Sequence, residues 1–120
     1  MSRGGYYELK LQKLFEAKGF TVVKSTASRT PIDLIAWNAH DVYFLQCKRA
    51  KNAHVASQAR YAWKKELGNM VFPQESLVQL WIYGPDASWH VWDWIEGELV
   101  AKPGTERFPH GLSSIIVERS

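Results

Sequence analysis

Tyr7, Leu11, Leu14 and Phe15 are spaced i, i+4, i+7, i+8 along the chain, the period of an amphipathic helix. The pattern predicts a helix over residues 6–18, with Gly19 placed to cap its end. Residues 20–24 are β-rich and predict a strand, after which the polar stretch STASRTP forms a loop that Pro31 helps to close. Two apolar β-rich runs follow, residues 32–37 and 42–48, joined by NAHD, a turn composition of the four-residue hairpin kind. Val55, Ala59, Ala62, Trp63 and Leu67 return to helical spacing over residues 52–67, with Asn52 suited to the N-cap and Gly68 ending the helix. Strands over residues 77–83 and 89–95, and a shorter pair over 98–102 and 114–117, complete the pattern.

The hairpin carries the candidate chemistry. If Asn38 and Asp41 flank its turn, opposed residues sum to 79 and Asp33 lies across from Gln46. Side chains two apart on a strand share a face, so Asp33, Gln46 and Lys48 are expected to project together. Cys47 then faces the other way and reads as a small buried apolar residue, not a nucleophile. An acid, an amide and an ammonium gathered on adjacent strands lose hydration, which is costly unless they bind something. A divalent cation offsets that cost. Magnesium prefers oxygen ligands and takes only one or two protein carboxylates; Asp33 is the obvious ligand, supplemented by the Gln46 side-chain oxygen and the Cys47 carbonyl. Lys48 beside it would hydrogen-bond an attacking water and neutralise phosphate charge, while the metal lowers the water's pKa and stabilises the leaving oxygen. That is a hydrolytic phosphodiesterase centre. Glu8, three and seven residues before Leu11 and Phe15, shares their helical face and brings a second carboxylate.

Composition narrows the partners. With 120 residues, 46% of them hydrophobic and 13% aromatic, the chain is expected to fold as a single domain over residues 1–120. Its apolar runs are far shorter than a membrane span requires and the N-terminal stretch lacks a signal-peptide core. With the lone Cys47, this makes an intracellular location the expectation, in the cytoplasm or nucleoid of a prokaryotic or virus-infected cell, with no membrane partner. The net charge is only +3, but nine of the fifteen Lys and Arg residues lie between Lys24 and Lys65 or in the first three positions. Arg3, Arg49, Lys51, Arg60 and Lys64 are therefore candidate contacts to a DNA backbone, which confer affinity without reading sequence. The aromatic run WHVWDW, residues 89–94, alternates as a strand does and is read as core or dimer-interface packing in preference to base stacking. His90 and Asp93 match no metal pattern, and His40 and Asp41 belong to the turn.

The ordered motifs GGYYE (residues 4–8), KGFTVVK (18–24), PIDLIAWN (31–38) and QCK (46–48) together resemble a PD-(D/E)XK nuclease, and within that superfamily the archaeal-type Holliday junction resolvases. The resemblance spans residues 4–51. It implies an α/β fold with a restriction-endonuclease-like core, a central mixed β-sheet flanked by α-helices. It also implies a homodimer nicking opposed strands of a four-way DNA junction with Mg²⁺, or Mn²⁺ as substitute. Glu8, Asp33, Gln46 and Lys48 would form its metal and catalytic cluster, and Ser28 a loop contact to the substrate phosphate. Arg29, beside that loop, is placed to clamp a phosphate bidentately. Where the family carries an acid, this chain carries Gln46, which lowers the negative charge of the site by one. Two alternatives remain open: a restriction-like or repair nuclease acting on other DNA structures, and a DNA-binding module whose nuclease site has decayed.

Overall fold

The computed structural model describes residues 3–25 and 30–102. Helix α1 (Arg3–Ala17) is followed by strands β1 (Thr21–Lys24), β2 (Leu34–Trp37) and β3 (Val42–Arg49), helix α2 (Ala53–Leu67), and strands β4 (Leu77–Tyr83), β5 (Trp89–Ile95) and β6 (Glu98–Ala101). The strand expected over 114–117 lies outside the described residues. All six strands form one sheet in sequence order. Every pairing is antiparallel except β3 with β4, the parallel pair that α2 connects, as a crossover must. The architecture is α/β with a mixed sheet between two helices.

The helix boundaries follow from local chemistry. At the end of α1, the Phe20 N–H reaches the Phe15 carbonyl at 3.1 Å and the Gly19 N–H the Glu16 carbonyl at 3.0 Å, with Gly19 at φ +89°. This is a Schellman closure, for which glycine carries no steric penalty. At the start of α2, the Asn52 side-chain oxygen accepts the Val55 N–H at 2.9 Å. The NAHD turn is held by one residue: Asn38 Oδ1 accepts both the His40 and Asp41 N–H groups at 2.8 Å.

Alternation along the strands divides the core in two. Tyr43, Leu45 and Cys47 of β3 face α1 and pack with Leu11 and Phe15, whereas Phe44 of β3, with Leu80 and Ile82 of β4, faces α2 and packs with Trp63 and Leu67. Strand β4, covered on both sides, is buried continuously from Val78 to Ile82, as a strand inside a two-faced sheet must be. The WHVWDW strand follows the same rule: Trp89 joins the α1 side, and Trp92 and Trp94 pack against the α2 side. Its Asp93 has a structural use. Gln79, fully buried, donates to Asp93 at 2.8 Å and accepts the Trp81 indole N–H at 2.9 Å, and Lys102 closes the chain on Asp93 at 3.1 Å. No helix among the described residues is long and apolar enough to cross a membrane.

Candidate active site

The β2–β3 ladder runs from Trp37↔Val42 to Leu34↔Leu45, the register that the NAHD turn predicts. Beyond it Asp33 departs from the expected opposition to Gln46. Its N–H goes to the Leu45 carbonyl at 2.8 Å, so Asp33 and Leu34 both address Leu45, as at a β-bulge. Its carboxylate Oδ2 then accepts the Cys47 N–H at 2.9 Å. The side chain stands in for the backbone acceptor that a regular ladder would have supplied at that point. Its own carbonyl takes the Ser25 N–H from the end of β1 at 2.8 Å. Asp33 is therefore fixed by three hydrogen bonds, two to β3 and one to the end of β1, with its carboxylate tied to the strand that carries Gln46 and Lys48.

Burial raises the Asp33 pKa above the ordinary aspartate value; the Cys47 N–H opposes that rise, Glu8 adds to it, and Lys48 and Lys24 oppose it, with a net upward shift. These influences come from the charged groups around the carboxylate. Glu8 acts on it from α1, and Lys48 from β3, where its side chain is exposed. Lys24 is the member that the motif reading missed as a site residue. Its ammonium lies 3.1 Å from the Glu8 carboxylate, and the β1–β2 register sets it opposite Leu34, one residue from Asp33. The signal was available only by adding β1 to the hairpin register.

Gln46 is buried on the strand face opposite Cys47, and its amide makes no hydrogen bond among the described residues. The Cys47 thiol is buried in the core beside α1; that burial, then the negative charges of Asp33 and Glu8, push its pKa far up. The sulfur stays neutral, and Cys47 serves the site through its backbone.

Among the described residues no three His, Cys, Asp or Glu side chains form a metal cluster. What the site offers is two neighbouring carboxylates, Asp33 and Glu8. This all-oxygen set suits a hard cation such as Mg²⁺, which uses one or two carboxylates and completes its shell with water and phosphate.

Among the described residues the candidate basic side chains point in different directions. Arg49 turns to the α1 side, where its Nε donates to the Tyr7 hydroxyl at 3.2 Å. On α2, the Arg60 guanidinium lies 4.7 Å from the centre of the Trp92 ring and Lys64 is paired with Glu98 at 2.9 Å. Lys51 is exposed just before α2. Ser28, Arg29 and the Arg3 side chain lie outside the described residues.

A family model described as archaeal Holliday junction resolvase (Hjc) matches residues 1–67, which include Glu8, Asp33, Gln46 and Lys48. Among solved structures, the Hjc Holliday junction resolvase of Archaeoglobus fulgidus, an archaeal hyperthermophile, superposes with a TM-score of 0.51 at 19% identity, covering 75% of this chain and 71% of that one. A protein of unknown function superposes with a TM-score of 0.41 at 19% identity, covering 64% of this chain and 44% of that one. No curated protein matches the chain.

Proposed function

Because the chain belongs to the archaeal Holliday junction resolvase family of PD-(D/E)XK nucleases, we propose that the Asp33 site hydrolyses phosphodiesters of four-way DNA junctions with Mg²⁺, or Mn²⁺ in its place, in a homodimer that nicks opposed strands. The observation that carries this reading is the anchoring of Asp33 Oδ2 on the Cys47 N–H, with Glu8, Lys24 and Lys48 all acting on that carboxylate. Asp33, Glu8, the Gln46 amide oxygen and the Cys47 carbonyl would hold the cation. A bound Mg²⁺ supplies Lewis-acid stabilisation of developing charge and a lowered pKa for bound water.

The remaining work falls to side chains. Lys48, exposed and next but one to Gln46, donates hydrogen bonds to the attacking water and to a non-bridging phosphate oxygen, where preorganised charge is most effective. The Cys47 N–H keeps Asp33 in one orientation, so no reorganisation is needed when substrate arrives. Lys24 holds Glu8 beside Asp33 against their mutual repulsion. Exposed cations such as Lys51 supply sequence-independent affinity, consistent with recognition by branch shape.

The test is cleavage of labelled four-way junctions with and without Mg²⁺ by wild type, Asp33→Asn and Lys48→Ala. Mg²⁺-dependent cutting by wild type, lost in both variants, is expected. Gln46 in the position of a family acid favours one second reading, a junction-binding module without nuclease activity. Wild type that binds junctions yet cuts no better than the two variants would establish it. A panel with flaps and linear duplexes separates a resolvase from a restriction-like or repair nuclease, for which equal cutting of linear duplex is the signature.

A further inference from the structure

A cavity lies on the α2 face of the sheet, between the start of α2, the end of β4 and the start of β5. Its volume is about 370 Å³, within the range of pockets that hold small ligands, about 300–1,000 Å³. Trp92 and His90 of β5 line it, with Ile82, Ala56 and, across the indole face, the Arg60 guanidinium. Asp86 adds a carboxylate at the rim, paired with His90 Nε2 at 2.9 Å. Ser88 approaches that same nitrogen at 3.4 Å. Both contacts fall on one ring atom, so the three residues cannot relay a proton from serine through histidine to aspartate, and a hydrolytic triad is excluded.

The sheet registers place this cavity relative to the candidate active site. Lys48 pairs with Ile82, which pairs with His90; Gln46 pairs with Leu80, which pairs with Trp92. Residues paired across a sheet share a face, and neighbouring strands are about 4.8 Å apart. His90 and Trp92 therefore stand on the same face as Lys48 and Gln46, about 10 Å away. One DNA strand covers that distance in about three stacked nucleotides, at about 3.4 Å each, and in fewer when extended.

We infer that this cavity takes up an unstacked nucleobase of the branched DNA, two or three nucleotides from the phosphate addressed by Lys48. The inference rests on the nuclease reading above and adds a base-binding subsite to it. A guanidinium lying over an indole forms the kind of platform that holds single-stranded bases whatever their identity. The apolar lining and the Asp86 carboxylate disfavour a bare phosphate, whereas a base edge has donors for Asp86 and acceptors for Arg60. Unstacking a base is least costly where pairing is already interrupted, as it is at a branch point.

The experiment measures binding of wild type, Ala56→Leu and Arg60→Gln to an intact four-way junction. The same binding is measured on junctions carrying one abasic site at successive positions beside the branch. Ala56→Leu fills the cavity without removing an aromatic core residue, and Arg60→Gln removes the clamp if the leucine disturbs folding. Loss of a stacked base lowers affinity by about five- to 150-fold. Wild type is expected to show that loss at one abasic position, and each variant to show it on the intact junction but no further loss on that abasic one. Wild type indifferent to every abasic position, or variant penalties that persist unchanged on all of them, overturns the subsite and leaves the nuclease reading standing. Wild type that does not bind the intact junction overturns both.

Discussion

Replacing Asp33 by alanine and by asparagine separates its two duties. Alanine removes the acceptor of the Cys47 N–H, a 2.9 Å bond to a residue only 7% exposed. Leaving such a donor unpaired costs about 1–3 kcal/mol. Asparagine keeps an oxygen for that N–H and removes only the charge. The sign of the charge effect follows from the raised pKa, caused first by burial and then by Glu8. A carboxyl whose folded pKa lies above its unfolded value favours the native state fully below the unfolded pKa and loses that benefit as pH rises through the folded pKa. Ionised Asp33 is therefore a net burden on the native state at pH 7. Asp33→Asn should match or exceed wild-type stability there without metal, and its advantage should vanish below pH 3.8, the ordinary aspartate value. Asp33→Ala should melt lower than Asp33→Asn. For 120 residues an unfolding entropy of about 0.25 kcal/mol/K makes the gap about 4–12 °C. Thermal denaturation at pH 7 and at low pH, with and without Mg²⁺, reads all of this. Mg²⁺ should raise the melting temperature of wild type alone. If asparagine costs as much as alanine, or its advantage is the same at every pH, the account of a desolvated, backbone-anchored carboxylate is wrong.

Gln46→Glu should tighten Mg²⁺ binding by at least the roughly 10- to 100-fold that outer-sphere partners of a metal contribute, read from a Mg²⁺ titration of melting temperature; an unchanged titration means that residue 46 is not a ligand. Cys47 should resist iodoacetamide at pH 8 while the protein is folded, because the reactive species is the thiolate and burial pushes this thiol's pKa far up. Labelling in the native state at the rate seen in denaturant would refute that. Lys51→Gln should lower the slope of log affinity against log salt on junction DNA by about 0.9. Lys64→Gln should change it less, since Lys64 already spends its charge on Glu98, and equal slopes would count against that pairing.

The parts of the fold that were legible in the sequence are those specified by residues close together. Asn38 sets the turn, and the turn sets a register that holds for all four β2–β3 pairs. Gly19 and Asn52 end one helix and begin the other by contacts within five residues. The illegible parts depend on distant segments. Alternation assigns faces, but it does not say where a strand runs out of backbone acceptors, so the use of the Asp33 carboxylate for the Cys47 N–H was hidden. Lys24 reads as an ordinary strand-end lysine until β1 pairs with β2 and brings it to Glu8, sixteen positions earlier in the chain. Arg49 belongs by sequence to the KRAK tail, yet it bonds Tyr7 on the opposite face from Lys48.

The substitution of Gln46 for an acid changes in meaning once Lys24 is placed. Counted formally, Glu8 and Asp33 contribute two negative charges, and Lys24 and Lys48 two positive ones, so the neighbourhood is balanced without a metal. Were that balance effective, a divalent cation would have nothing to neutralise. The Asp33 pKa is nonetheless raised, with burial as the largest cause. Both lysines are exposed, so water screens much of their attraction, whereas the desolvation of Asp33 is local and is not screened. Formal neutrality therefore leaves the carboxylate uncompensated. A cation delivered directly to its oxygen removes that deficit in a way that neither lysine does. On the proposed ligand set Gln46 would lower the affinity with which such a cation is held, but the demand for one originates at Asp33, which the substitution leaves intact.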